Sequence, residues 1–197
     1  MIPSVQRCLA IMGKYHMLDN IKAHSVMVAK VAHVITMGLN QKTEEISKDL
    51  ILAGALLHDI GKTEALKHGG DHVKIGQEIC LKEGFDEVVP IVAEHVVLKS
   101  FARDGKIEEK EVVYYSDKRV NHDKVVTLQK RLEYILKRYA SRNPGLKAAI
   151  INNFNVCKKV EAKLFQYLSF QPPEIEGLVR KTELSFPGKQ ECLLPIH

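Results

Sequence analysis

Paired cysteines are missing from this chain of 197 residues. Cys8, Cys80, Cys157 and Cys192 are scattered and form no Cys-x-x-Cys pair. That excludes a zinc knuckle and argues against a disulfide framework, so they read as reduced thiols of a cytoplasmic protein. No apolar run reaches the roughly 20 residues that a membrane-spanning helix needs. The N-terminus has no charged-then-apolar signal pattern, and no membrane partner is expected. No period-two alternation persists long enough to predict a sheet, and there is neither an internal repeat nor a low-complexity segment. An excess of one charge is also lacking: 29 Lys and Arg stand against 24 Asp and Glu, a formal net charge of +5. That surplus can help draw in an anionic substrate but is too diffuse to argue for a stable nucleic-acid complex.

What remains is apolar spacing of helical period, and the expected fold class is all-α. Helices are predicted over 2–13, 19–39, 43–59, 71–84, 86–99, 108–119, 121–141 and 143–169, with glycines and Asn143-Pro144-Gly145 as the breaks. Asp19 is a candidate cap for the second of these. Thr43 is the candidate cap for the third, with Glu44 and Glu45 in its early turns. Residues 1–141 read as the main domain. Residues 142–197 read as a C-terminal helix and an irregular tail packed on it. The segments 121–141 and 146–169 are amphipathic and predict an antiparallel pair on the core, or a dimer surface. After Phe170, Pro172-Pro173, Pro187-Gly188 and Pro195 predict irregular chain, while Leu178, Leu184, Phe186, Leu193 and Leu194 suggest that it wraps over the domain.

The chemistry concentrates in Ala53-Gly54-Ala55-Leu56-Leu57-His58-Asp59-Ile60-Gly61-Lys62. An adjacent imidazole and carboxylate end an apolar helical stretch, a glycine breaks it, and a lysine follows. The His-Asp pair offers one neutral nitrogen and one anionic oxygen, which suits a divalent cation. Lys62 is a point charge that can reach a phosphate oxygen. His24, His72, His95 and Asp117 each fall on the apolar stripe of their own segment; Val28, Val31 and Ile35, for instance, follow His24 at +4, +7 and +11. Inward-facing polar groups must be satisfied, and a shared metal satisfies several at once. The remaining histidines are His16, His33, His68, His122 and His197. Only His122, close after Asp117, is a candidate substrate contact.

The ordered set His24, His58-Asp59 and Asp117, with the Gly61-Lys62 extension, resembles the HD superfamily of metal-dependent phosphohydrolases. His58-Asp59-Ile60-Gly61 spells the signature of its HDIG branch. The resemblance covers roughly residues 15–140. It implies that His24, His58, Asp59 and Asp117 are the core metal ligands. His72 and His95 lie in segments similar to those of members that hold two metals, among them bacterial hydrolases of diadenosine tetraphosphate and cyclic-dinucleotide phosphodiesterases. The latter carry a GYP motif that is absent here.

The expectation is therefore an enzyme that uses one or two divalent ions and an activated water to cleave a phosphoester or phosphoanhydride of a nucleotide or dinucleotide. Asp59 and Lys62 are the expected catalytic residues, Asp59 as a bridging carboxylate. Lys62, Lys118, Arg119 and His122 are the expected substrate contacts. Mixed imidazole and carboxylate ligation suits Fe, Mn, Co, Ni or Zn better than Mg alone. Two alternatives stand beside this: a one-metal nucleoside monophosphate phosphatase in which His72 and His95 touch substrate, and a non-catalytic nucleotide-binding HD module.

Overall fold

The computed structural model describes residues 1–42, 46–141, 143–182 and 184. The fold is all-α, and a two-stranded hairpin is the only sheet among the described residues. Its helices are α1 (Val5–Lys14), α2 (Asp19–Leu39), α3 (Lys48–Leu57), α4 (Lys62–His68), α5 (His72–Lys82), α6 (Val89–Glu94), α7 (Glu109–Lys118), α8 (Leu128–Tyr139), α9 (Pro144–Phe165) and α10 (Ile175–Lys181). The hairpin, β1 (Val120–Asn121) and β2 (Lys124–Val125), joins α7 to α8.

α3 is apolar on every side, and all of Ile51–Leu57 is buried, as expected of a helix at the centre of a bundle. α2, α1, α7 and α6 surround it. Val28, Val31, Ala32 and Ile35 of α2 and Val112, Val113, Tyr114 and Tyr115 of α7 close the core around it. Phe154, Cys157, Val160 and Leu164 of α9 belong to the same cluster. Burial pushes the thiols of Cys8, Cys80 and Cys157 up to about 12, so they stay protonated and act as packing groups. Cys192 lies outside the described residues. No described helix is long and apolar enough to cross a membrane.

Most boundaries shift by a few residues, and three segments differ more. α3 begins at Lys48, not residue 43, because Ser47 accepts a hydrogen bond from the Leu50 amide and caps it. The Asn40 side chain meanwhile holds both the N–H and the C=O of Ile46 outside the helix. Thr43, Glu44 and Glu45 lie outside the described residues. The segment predicted as helix over 86–99 is a 3₁₀ turn (Asp86–Val88) followed by α6, which ends at Glu94. The start of the helix predicted over 121–141 is instead the β1–β2 hairpin, whose tip residue His122 has φ +55°. Thr127 then caps α8 by accepting from the Lys130 amide.

Residues 172–181, predicted as irregular, form a 3₁₀ turn (Pro172–Glu174) and α10. Ile175 and Val179, one turn apart, are buried, and α10 packs against α2. Pro187-Gly188, Phe186, Leu193, Leu194, Pro195 and His197 lie outside the described residues.

The short helix α4 was also not predicted, and the turn before it packs closely on the start of α5. A Cβ at Gly61 would collide with the backbone oxygen of His72 and the backbone nitrogen of Gly76. Both are backbone atoms, so neither can swing aside. Gly61→Ala is therefore expected to pry α5 from the end of α3 and to cost about 1–3 kcal/mol or more. Chemical denaturation of the purified variant measures this, and an unchanged midpoint would show that α5 is free to shift.

Candidate metal centre

The turn after α3 projects His58 and Asp59 inward, both buried. Around them stand His24 from the first turns of α2, His72 at the start of α5, His95 just after α6, and Asp117 near the end of α7. The structure thus brings together all six residues that the sequence assigned to metal. The imidazoles of His24, His58, His95 and His72 form a row, with centroid spacings of 5.4, 5.0 and 5.4 Å.

Three of these rings are locked from behind. The Nδ1 of His58 donates to the Ala55 carbonyl at 2.7 Å, that of His95 to Val92 at 2.7 Å, and that of His24 to His122 at 2.8 Å. A carbonyl can only accept, so each Nδ1 carries hydrogen. In the neutral ring the Nε2 lone pair then points into the centre, the tautomer that a metal requires. The Nε2 of His58 is buried and has no hydrogen-bond partner. Burial pushes His58 down to about 3, with partial relief from Asp59 and Asp117, so the ring is neutral.

The carboxylates face these lone pairs. Asp59 presents Oδ2 to His58 Nε2 at 3.5 Å, and Oδ1 to His95 Nε2 at 3.5 Å and His72 Nε2 at 3.7 Å. Asp117 Oδ1 lies 2.9 Å from His24 Nε2 and 3.8 Å from His58 Nε2. Burial opposes both carboxylate charges, but the groups that face them outweigh it and hold both well below the usual carboxylate range. For Asp59 these are the imidazoles of His58 and His95 and the Lys62 ammonium; for Asp117 they are Lys118 and then His24. The anionic oxygens of Asp59 and Asp117 set against the lone pair of the neutral His58 ring repel it unless a cation lies among them. The donor set therefore fits a metal, and two groups have ligand atoms close enough to share an ion: His24, His58 and Asp59, and Asp59, His72 and His95.

The four residues expected to meet substrate are placed differently from one another. Lys62 Nζ pairs with Asp59 Oδ2 at 2.8 Å, and its side chain remains 39% exposed, at the rim. The Asp59 charge raises its pKa against the opposing effect of burial, which keeps it an ammonium. Lys118 is buried behind Asp117, donating to its Oδ2 at 3.0 Å and to the His95 carbonyl. Arg119, one residue on and so about 100° around the helix, is not brought to the centre. It is buried against Tyr115, the Val126 carbonyl and the Pro172 carbonyl. His122 contributes its backbone oxygen to His24, while its ring packs edge-on against Tyr134 at 5.2 Å.

Sequence reasoning missed Arg131 of α8. Its Nη2 lies 3.9 Å from Asp117 Oδ1, and Asn121 of the hairpin fixes its Nη1 at 2.8 Å. Nothing in the sequence sets it apart from Lys130, Lys137 or Arg138 until the hairpin fixes the register of α8.

The family model of the HD domain matches residues 21–123, from just before His24 to just after Asp117. The chain belongs to the HD domain family. Among curated relatives, an uncharacterized protein of Methanocaldococcus jannaschii is 26% identical over 68% of this chain and 86% of its own length. A tRNA (cytidine(56)-2'-O)-methyltransferase of Thermoplasma volcanium is 38% identical over 48% of this chain but only 26% of its own length. Ribonuclease Y of Mesoplasma florum is 43% identical over 36% of this chain and 13% of its own length. The HD chain thus spans most of the first relative and a minor part of the other two. No solved structure matches it.

Proposed function

We propose that this HD protein is a metal-dependent phosphohydrolase with a dinuclear centre, acting on a nucleotide or dinucleotide. The observation that carries the reading is the division of Asp59: one carboxylate oxygen faces His58 and the other faces His72 and His95. His24, His58, Asp59 and Asp117 would hold one ion. Asp59, His72 and His95 would hold the other, with Asp59 as the bridge. Mixed nitrogen and oxygen donors suit Mn, Fe, Co, Ni or Zn better than Mg alone. Divalent ions at such a site supply an acidified water as nucleophile near neutral pH and offset phosphoryl charge.

The chain's own groups do the rest. The backbone carbonyls of Ala55, Val92 and His122 keep three imidazoles in the binding tautomer. Lys118 holds Asp117 ionised and in place from behind. Lys62, at the rim and ammonium in form, meets a non-bridging phosphoryl oxygen as negative charge builds there.

His72 is the most exposed of the six groups, with 29% of its side chain open to solvent, and it decides between two ions and one. His72→Ala is expected to lower bound transition metal from about two equivalents per chain to about one, measured by elemental analysis, with hydrolysis of dinucleotides lost. Unchanged stoichiometry with a raised Michaelis constant would establish the one-metal phosphatase instead. Wild-type protein that takes up no metal after reconstitution would end the hydrolase reading. Nucleotide binding without turnover under any metal would make this a sensor module.

A further inference from the structure

The guanidinium of Arg131 is a cation near the centre that the proposed ligand set leaves unexplained. Its side chain is 14% exposed, so it is largely withdrawn from water. Asn121 Oδ1 takes one N–H at 2.8 Å, and the Tyr134 ring lies 5.8 Å from the guanidinium carbon. These two contacts aim the group. Its Nε is buried and has no hydrogen-bond partner. The nearest anion is Asp117 Oδ1 at 3.9 Å, too long for a hydrogen bond, and the other Asp117 oxygen is already taken by Lys118 at 3.0 Å. A guanidinium has five N–H donors in a planar fork. One this far buried and this poorly satisfied is costly unless an anion with several acceptor oxygens completes it.

We propose that Arg131 is a substrate-binding residue that grips a phosphate group of the substrate at the His24–His58–Asp117 end of the centre. This rests on the phosphohydrolase reading. Lys62 pairs with Asp59 and Arg131 stands beside Asp117, so a phosphoryl group over the centre would meet a point charge at one carboxylate and a fork at the other. The fork supplies two parallel hydrogen bonds and therefore orientation, which an ammonium cannot. A substrate with at least one phosphate carrying two free oxygens is preferred over a neutral or fully esterified one.

The test measures binding of inorganic phosphate to metal-loaded protein by calorimetry, together with metal content of each variant. Arg131→Gln is expected to keep wild-type metal content and to bind phosphate roughly 10- to 100-fold more weakly. Arg131→Lys, which keeps the charge without the fork, is expected to recover only part of that loss. Its near-native shape guards against a folding artefact in the Gln variant. Lys130→Gln, one residue away on the exposed side of α8, is expected to change neither quantity. If Arg131→Gln loses metal while the remaining loaded fraction binds phosphate normally, Arg131 only positions Asp117 and the proposal fails. Equal phosphate affinity in wild type and Arg131→Gln overturns it as well and leaves the hydrolase reading intact. Wild-type protein that takes up metal but no phosphate overturns both.

Discussion

Asp59→Asn is expected to abolish metal binding and hydrolysis together, the largest functional loss available from one atom's change. The amide keeps the size and shape of the carboxylate, so the surrounding imidazoles stay in their tautomers. What disappears is the negative charge that faces His58 on one side and His72 and His95 on the other. Imidazoles bring no negative charge to a metal, and without Asp59 the His72–His95 half has no anionic ligand. The other half retains Asp117 alone. Bound metal should fall below about a tenth of the wild-type content, and turnover by about 10³-fold or more. Elemental analysis and a steady-state assay on the same preparation check both. The metal-free variant should still unfold cooperatively, because Lys62, with 39% of its side chain exposed, can turn to water once its partner is neutral. Retention of both ions with only activity lost would assign Asp59 a purely chemical role and break the bridging interpretation.

The largest loss of stability is expected at the contact between α7 and α9. Lys163 of α9 and Glu111 of α7 form an ion pair with side chains 3% and 1% exposed. The ammonium donates to both carboxylate oxygens at 2.9 Å and to the Lys106 carbonyl at 2.8 Å, so its hydrogens are all used. Glu111 also accepts from the Glu108 amide, closing the capping box of α7. Lys163→Ala leaves a buried carboxylate uncompensated, which costs about 3–5 kcal/mol. For a chain of this size that is on the order of 10 °C in melting temperature. The double variant Glu111→Gln/Lys163→Met removes both charges, preserves volume and keeps an acceptor for the cap, and should recover most of the loss. A cost below about 1 kcal/mol for Lys163→Ala in chemical denaturation would show that the pair does not tie α9 to α7.

The proposed metal ligands were legible because chemistry and periodicity agree at each of them. His24, His58, Asp59, His72, His95 and Asp117 are polar residues on apolar stripes, a conflict that a shared cation resolves. Lys62 was legible because it follows the break at Gly61 directly. The all-α class was legible for the same reason, since helical spacing recurs through most of the chain. What escaped depends on backbone turns that no period announces. The hairpin at Val120–Val125 interrupts a strongly helical composition, and its left-handed His122 is a local decision. That one turn places a carbonyl behind His24 and Asn121 beside Arg131. It also brings Val126 back onto Arg119, an expected substrate contact, whose guanidinium is thereby held away from the centre. α10 escaped because the two prolines ahead of it read as irregular chain, although Pro172 and Pro173 open the 3₁₀ turn that leads into it.

His24 and Asp117 meet at 2.9 Å although 93 positions separate them in the chain. An ion held between them would close a loop that includes α3, α4, α5 and α6. By the scaling that governs any cross-link, tying so long a loop restricts the unfolded chain by an amount worth about 4–5 kcal/mol. Occupancy and folding are then a single linked equilibrium. Chains without ions would be the first to open and to be degraded, so the abundance of this protein in a cell would track the supply of its metal.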